Sequence, residues 1–118
     1  MQGYLTTHVL DTARGCAAAG LKIELIRHMS ETGPIPLQTT ITNADGRTDR
    51  PILPQDAFEL GSYELIFHAG AYLRAQGQVE EATVFLDLIP IRFEMRSNDH
   101  YHVPLLLSPY GYSSYRGS

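Results

Sequence analysis

Residues 21–28, Leu21-Lys-Ile-Glu-Leu-Ile-Arg-His28, alternate in character. Leu21, Ile23 and Leu25 fall on one face, Lys22 and Glu24 on the other. A period of two is that of a β-strand with one buried side. Runs of the same kind lie to either side. Upstream, Tyr4–Leu10 sets Thr6, His8 and Leu10 against Leu5, Thr7 and Val9, and Thr12–Gly20 is a small-residue connection. Downstream, Ser30–Pro36 holds the turn signal Gly33-Pro34, and Leu37–Thr42 has the Thr and Ile content of a strand. Asn43-Ala-Asp-Gly46 reads as a turn, with Arg47 just beyond it. Arg50–Gln55, with two prolines, can hold only a short edge strand. Gly61–His68 is a further strand, and Ala69–Gln78 has helix formers with Gly77 placed to end them. Phe85–Arg96 is strand-like but interrupted by Pro90. Tyr101–Ser108 and Tyr112–Arg116 close the chain around Pro109-Tyr-Gly111. Seven or eight short strands and one short helix, without repeats or a linker, predict an all-β antiparallel sandwich; a barrel is the alternative.

Composition narrows the function. At 118 residues the chain fits one domain, 1–118. Folding would bury about two-thirds of its surface, enough for a core without disulfides or a structural metal. Hydrophobic residues at 43% and charged residues at 19% exclude global disorder. No apolar run approaches the ~20 residues of a membrane span. Met1-Gln-Gly-Tyr4 has neither a basic nor an apolar leader pattern, and no peroxisomal SKL ending is present, so the expected compartment is the cytoplasm. The single Cys16 cannot form an internal disulfide, which fits a reducing setting. The net charge of −4 and the lack of a Lys/Arg cluster argue against a nucleic-acid partner.

Few residues stand out for chemistry. His100 and His102 would share a strand face, but two histidines alone are a weak metal signal. Their ordinary explanation is one hydrogen-bonded strand histidine and one exposed in the preceding loop. His8 taken alone reads as a half-buried histidine bonded to a neighbouring hydroxyl, and Arg47 as a solvated surface arginine. Cys16 lies among alanines with no cation to activate it. Ser108 and Ser118 lack a nucleophile-elbow motif. The C-terminal run Ser108–Ser118 carries three tyrosines where termini are usually polar, so it is expected to dock in the core or against another subunit.

Four segments together resemble the 5-hydroxyisourate hydrolases, the transthyretin-related enzymes of purine catabolism. They are Leu5-Thr-Thr-His-Val-Leu-Asp11, Asp45-Gly-Arg-Thr-Asp49, Tyr101-His-Val-Pro-Leu-Leu-Leu-Ser-Pro109 and Tyr115-Arg-Gly-Ser118. The resemblance implies a transthyretin-like sandwich of two four-stranded sheets with one short helix. It also implies a homotetramer, a dimer of dimers, with active sites where the dimers meet. Matched motif by motif, the functional positions are His8, Arg47, His102 and the tail Tyr115–Ser118. Vertebrate transthyretin, the hormone carrier of the same fold, lacks this set, so the enzyme is favoured over a small-molecule carrier.

The substrate so implied is 5-hydroxyisourate, opened by hydrolysis of an acyl C–N bond without metal, nucleotide or flavin. Histidine titrates near neutrality and can take a proton from water and return it to the leaving nitrogen. His102 is the first choice as base with His8 orienting the water, though the two roles can be exchanged. Arg47 offers donors to a developing oxyanion. Tyr115, Ser118 and Ser108 are candidates for the pocket lining. The acid limb of kcat/KM is expected between pH 5 and 8, where an ordinary histidine titrates.

Overall fold

The computed structural model describes residues 3–117. Its strands are β1 (Tyr4–Asp11), β2 (Cys16–Ala17), β3 (Lys22–Met29), β4 (Gly33–Ile41), β5 (Gly61–His68), β6 (Leu88–Met95), β7 (His100–Ser108) and β8 (Gly111–Ser114). The helix α1 spans Ala69–Ala75. They form two four-stranded sheets, ordered β2-β1-β7-β8 and β4-β3-β5-β6. The inward faces meet in one core. Leu5, Val9, Leu105 and Leu107 of the first sheet pack with Ile23, Leu25, Leu65 and Phe67 of the second, all fully buried. The alternation at 21–28 is therefore the buried face of β3, and burial of such side chains supplies the main driving force for the sandwich.

Asp11 ends β1 as a buried carboxylate. Burial pushes its pKa up, but the Tyr72 hydroxyl, the Arg14 amide and the Gln78 side chain all donate to it and hold it below the ordinary value. Tyr72 stands on α1, so this cluster ties β1 to the helix.

Several boundaries differ from the sequence reading. β6 runs straight through Pro90, and β4 begins at Gly33 and takes in Pro34 and Pro36. Both strands are sheet edges, where a missing N–H need not break a ladder. Arg50–Gln55 forms no strand; Leu53 makes a lone bridge to Leu5, and a single 3-10 turn follows at Gln55–Ala57. One neighbour pair, β1 with β7, is parallel, whereas the other pairs are antiparallel. That parallel pair joins the two ends of the chain, and it sets Thr6 opposite His102 and Tyr4 opposite His100.

Candidate active site

The outward face of β1 carries Tyr4, Thr6 and His8, because Leu5, Thr7 and Val9 face the core. The outward face of β7 carries His100 and His102, because Tyr101, Val103 and Leu105 face inward. The parallel register lays these polar sets side by side on the solvent side of the first sheet. His8 Nδ1 and His102 Nε2 share a hydrogen bond of 2.7 Å, and their rings lie 4.9 Å apart. His102 Nδ1 and Thr6 Oγ1 are 2.7 Å apart, and Thr6 Oγ1 and His100 Nε2 are 2.6 Å apart. Tyr4 stacks face to face on His100, with centroids 4.2 Å apart. His8, His102, Thr6 and His100 thus form one hydrogen-bonded chain. It floors an open hollow of about 450 Å³.

Arg47 reaches the same hollow through its turn. Asn43 Oδ1 accepts from the backbone N–H of Asp45 and Arg47, and the Asn43 amide donates to the Arg47 carbonyl. The Gly46 carbonyl accepts from the Val9 amide, and Arg47 forms a lone antiparallel bridge to His8. Gly46 is required there. Its φ is +73°, and an added Cβ would lie 2.5 Å from the Val9 carbonyl oxygen.

The C-terminal segment forms the remaining wall. β8 pairs with β7 from Ser108–Gly111 to Leu105–Ser114. The same register resumes at the bridge between His102 and Gly117, where the Gly117 amide donates to the His102 carbonyl at 2.7 Å. Pro104, opposite the gap, has no N–H to offer, and Tyr115 and Arg116 lie outside β8. Arg116 sits over the Tyr101 ring at 4.1 Å. Gly117 passes so close that a Cβ would stand 2.7 Å from His102 Cδ2. Tyr115 is exposed yet lines the hollow.

Of the residues singled out in sequence, His8, Arg47, His102 and Tyr115 thus border one hollow. Ser108 does not: it lies six residues from His102 along β7, about 20 Å away at strand rise, and its hydroxyl donates to the Gly111 carbonyl. Ser118 lies outside the described residues. Two members were missed. Sequence alone makes Thr6 only a face-mate of His8 and His100 a loop residue, whereas His100 opens β7 and is held by Thr6 and Tyr4. The signal for Thr6 was there, two residues before His8 on the same strand face. Among the described residues, no group of three or more His, Cys, Asp or Glu is arranged to hold a metal ion.

Burial, then His8, then the Arg47 cation pull the pKa of His102 down from 6.5 to about 4. Burial and Arg47 lower His8 as well. Both rings are neutral at neutral pH, the form a base needs. Protonation inactivates a base, so activity is lost only below its pKa. The acid limb therefore moves from the ordinary histidine range expected from sequence to lower pH. A reaction that uses this pair should lose its kcat/KM on an acid limb that lies below 6.5. A limb centred at 6.5 or above in a pH–rate profile would show that neither ring is the base.

Comparison with known proteins gives a consistent picture. Residues 5–117 match the HIUase/Transthyretin family. The chain is 57% identical over 116 residues to the 5-hydroxyisourate hydrolase of Mesorhizobium japonicum, covering 98% of this chain and 93% of that protein. Among solved structures it is similar to (S)-allantoin synthase, with a TM-score of 0.91 and 43% identity. That match covers 99% of this chain and spans 44% of that one. It is also similar to the 5-hydroxyisourate hydrolase of Klebsiella pneumoniae, with a TM-score of 0.80 and 32% identity over 100% of this chain and 96% of that one.

Proposed function

Because the chain belongs to the HIUase/transthyretin family, we propose that it is a 5-hydroxyisourate hydrolase, a single transthyretin-like domain over residues 1–118. The reaction opens the six-membered ring at an acyl C–N bond and yields 2-oxo-4-hydroxy-4-carboxy-5-ureidoimidazoline, a step of urate degradation. One observation carries the assignment to this site: a neutral histidine pair and an arginine border the same hollow.

The geometry favours one of the two role assignments that sequence left open. Both ring nitrogens of His102 are taken, by Thr6 and by His8. His8 uses only Nδ1 in the chain, and its Nε2 is left for water. His8 is therefore the proton acceptor, and His102 is a positioning residue that holds the ring. Water adds to the carbonyl carbon as its proton passes to His8 Nε2. The C–N bond then breaks, and the same proton goes to the leaving nitrogen. Arg47 donates to the oxygen that becomes negative, in a place where its cation also keeps His8 unprotonated. Tyr115 closes over the substrate.

The active assembly in this reading is a homotetramer, a dimer of dimers. Supporting it are the free sheet edges β6 and β8, which carry the exposed Leu88 and Tyr112. Among the described residues no helix is long and apolar enough to cross a membrane. The lone, exposed Cys16 is compatible with a reducing, cytoplasmic setting.

The test follows the ultraviolet absorbance of freshly generated 5-hydroxyisourate with and without protein. The expected result is decay well above the spontaneous rate. A folded protein that leaves the decay unchanged overturns the catalytic reading and makes the hollow a carrier site.

A further inference from the structure

We propose that Thr6 and His100 complete a proton relay behind His8, so that the positive charge gained when water gives up a proton comes to rest on His100 rather than beside Arg47. The proposal rests on the hydrolase reading above and adds two residues to it. It stands on three hydrogen bonds in series, 2.7, 2.7 and 2.6 Å long, that join His8, His102, Thr6 and His100. Each bond holds one proton, and a hydroxyl between two imidazoles donates to one while accepting from the other. The chain therefore has only two polarities.

In the first, His8 Nδ1–H donates to His102 Nε2, His102 Nδ1–H donates to Thr6 Oγ1, and Thr6 O–H donates to His100 Nε2. His8 Nε2 then carries a lone pair toward the hollow. In the second, every bond is reversed and His8 Nε2 carries a proton. Passage from the first to the second balances as follows. Water gives a proton to His8 Nε2, and His8 Nδ1 gives one to His102 Nε2. His102 Nδ1 gives one to Thr6 Oγ1, and the Thr6 hydroxyl gives its own to His100 Nε2. His100 ends as the imidazolium and the rings between stay neutral. The return run delivers a proton from His8 Nε2 to the leaving nitrogen.

The two ends of the chain differ in the direction this needs. At the His8 end stands the Arg47 guanidinium, which opposes a second cation on His8 or His102. At the far end the Tyr4 ring lies flat on His100, 4.2 Å between centroids and 5° from parallel. An aromatic face attracts a cation placed over it. Before reaction, the same Arg47 charge favours the polarity with a lone pair at His8. Without the relay, the imidazolium charge would sit against Arg47 throughout the lifetime of the tetrahedral intermediate. Thr6 and His100 touch neither water nor substrate in this scheme; they act through His102 and His8.

The experiment reads tautomers and kinetics together. Long-range nitrogen–proton spectra of histidine-labelled wild type at neutral pH should show Nδ1–H on His8, His102 and His100. Thr6→Val, of equal size but with no hydroxyl, and His100→Gln, which keeps hydrogen bonding but cannot become a cation, should each lower kcat by about tenfold to a hundredfold. KM should stay within about twofold, and Thr6→Ser should restore most of kcat. An Nε2–H tautomer on wild-type His102 overturns the resting polarity. Wild-type kcat in His100→Gln overturns the relay, and this variant decides the matter even where Thr6→Val fails to fold. Wild type that does not hydrolyse 5-hydroxyisourate fails the hydrolase reading itself, and the relay's catalytic role with it; the tautomers still report whether the chain exists.

Discussion

Alanine at His8 should lower kcat/KM for 5-hydroxyisourate by about 10²–10⁴, the usual contribution of a placed acid–base group. Alanine at His102 should cost nearly as much although, in the reading above, that ring never touches substrate. His102 is only 8% exposed and bonds His8 on one side and Thr6 on the other. Without it His8 Nδ1 loses its partner, and the ring is free to turn its Nε2 away from the hollow. Because the two rings act as one device, the double substitution should be little worse than the more damaging single one. Initial rates for the four proteins settle this, with circular dichroism checking that the sheets are intact. Losses that multiply would mean two independent roles. An active His8→Ala would return the base role to His102.

The strands were legible wherever one face is buried and the other is not. Gly61–His68 is legible to the residue, because its buried positions alternate cleanly. Pro90 misled because a proline is disruptive or harmless according to whether its strand has a neighbour on both sides, and that is a property of the sheet order, not of the segment. The β1–β7 pairing lay beyond local reading for the same reason, since it joins residues 96 apart, such as Thr6 and His102. The site divides along this line. His8, Arg47 and His102 stood out through the motifs that carry them. Thr6 and His100 become partners only through the register of two strands from opposite ends of the chain. Ser108 shows the converse: it shares a motif and a strand with His102, yet six residues of extended chain separate it from the hollow of its own chain. Nearness in sequence along a strand means distance in space, whereas nearness across a ladder leaves no local trace.

Arg47→Ala should lower kcat by about 10²–10³, as expected when one oxyanion donor is lost. KM should change little, because the charge it stabilises develops only during the reaction. Arg47→Lys should recover little of this, since a single ammonium cannot reproduce a planar fork of donors. The more searching variant is Gly46→Ala, which leaves the arginine in place. Residue 46 holds φ at +73°, and its new methyl would stand 2.5 Å from the Val9 carbonyl oxygen and 3.1 Å from Ala17 Cβ. Neither contact involves a flexible side-chain end, so the turn itself must move off β1. That movement strains the Gly46–Val9 hydrogen bond and the His8–Arg47 bridge, carrying the guanidinium out of register with the His8 ring. A shift on the order of 1 Å is enough to cost about a hundredfold in rate. Gly46→Ala should thus mimic Arg47→Ala in kcat while also lowering the melting temperature, which Arg47→Ala, at an exposed position, should leave nearly unchanged. If Arg47→Ala instead raises KM and spares kcat, the arginine only holds the substrate. If Gly46→Ala destabilises the fold but keeps full kcat, the turn supports the sheet without aiming Arg47, and the oxyanion must find its donors elsewhere in the hollow.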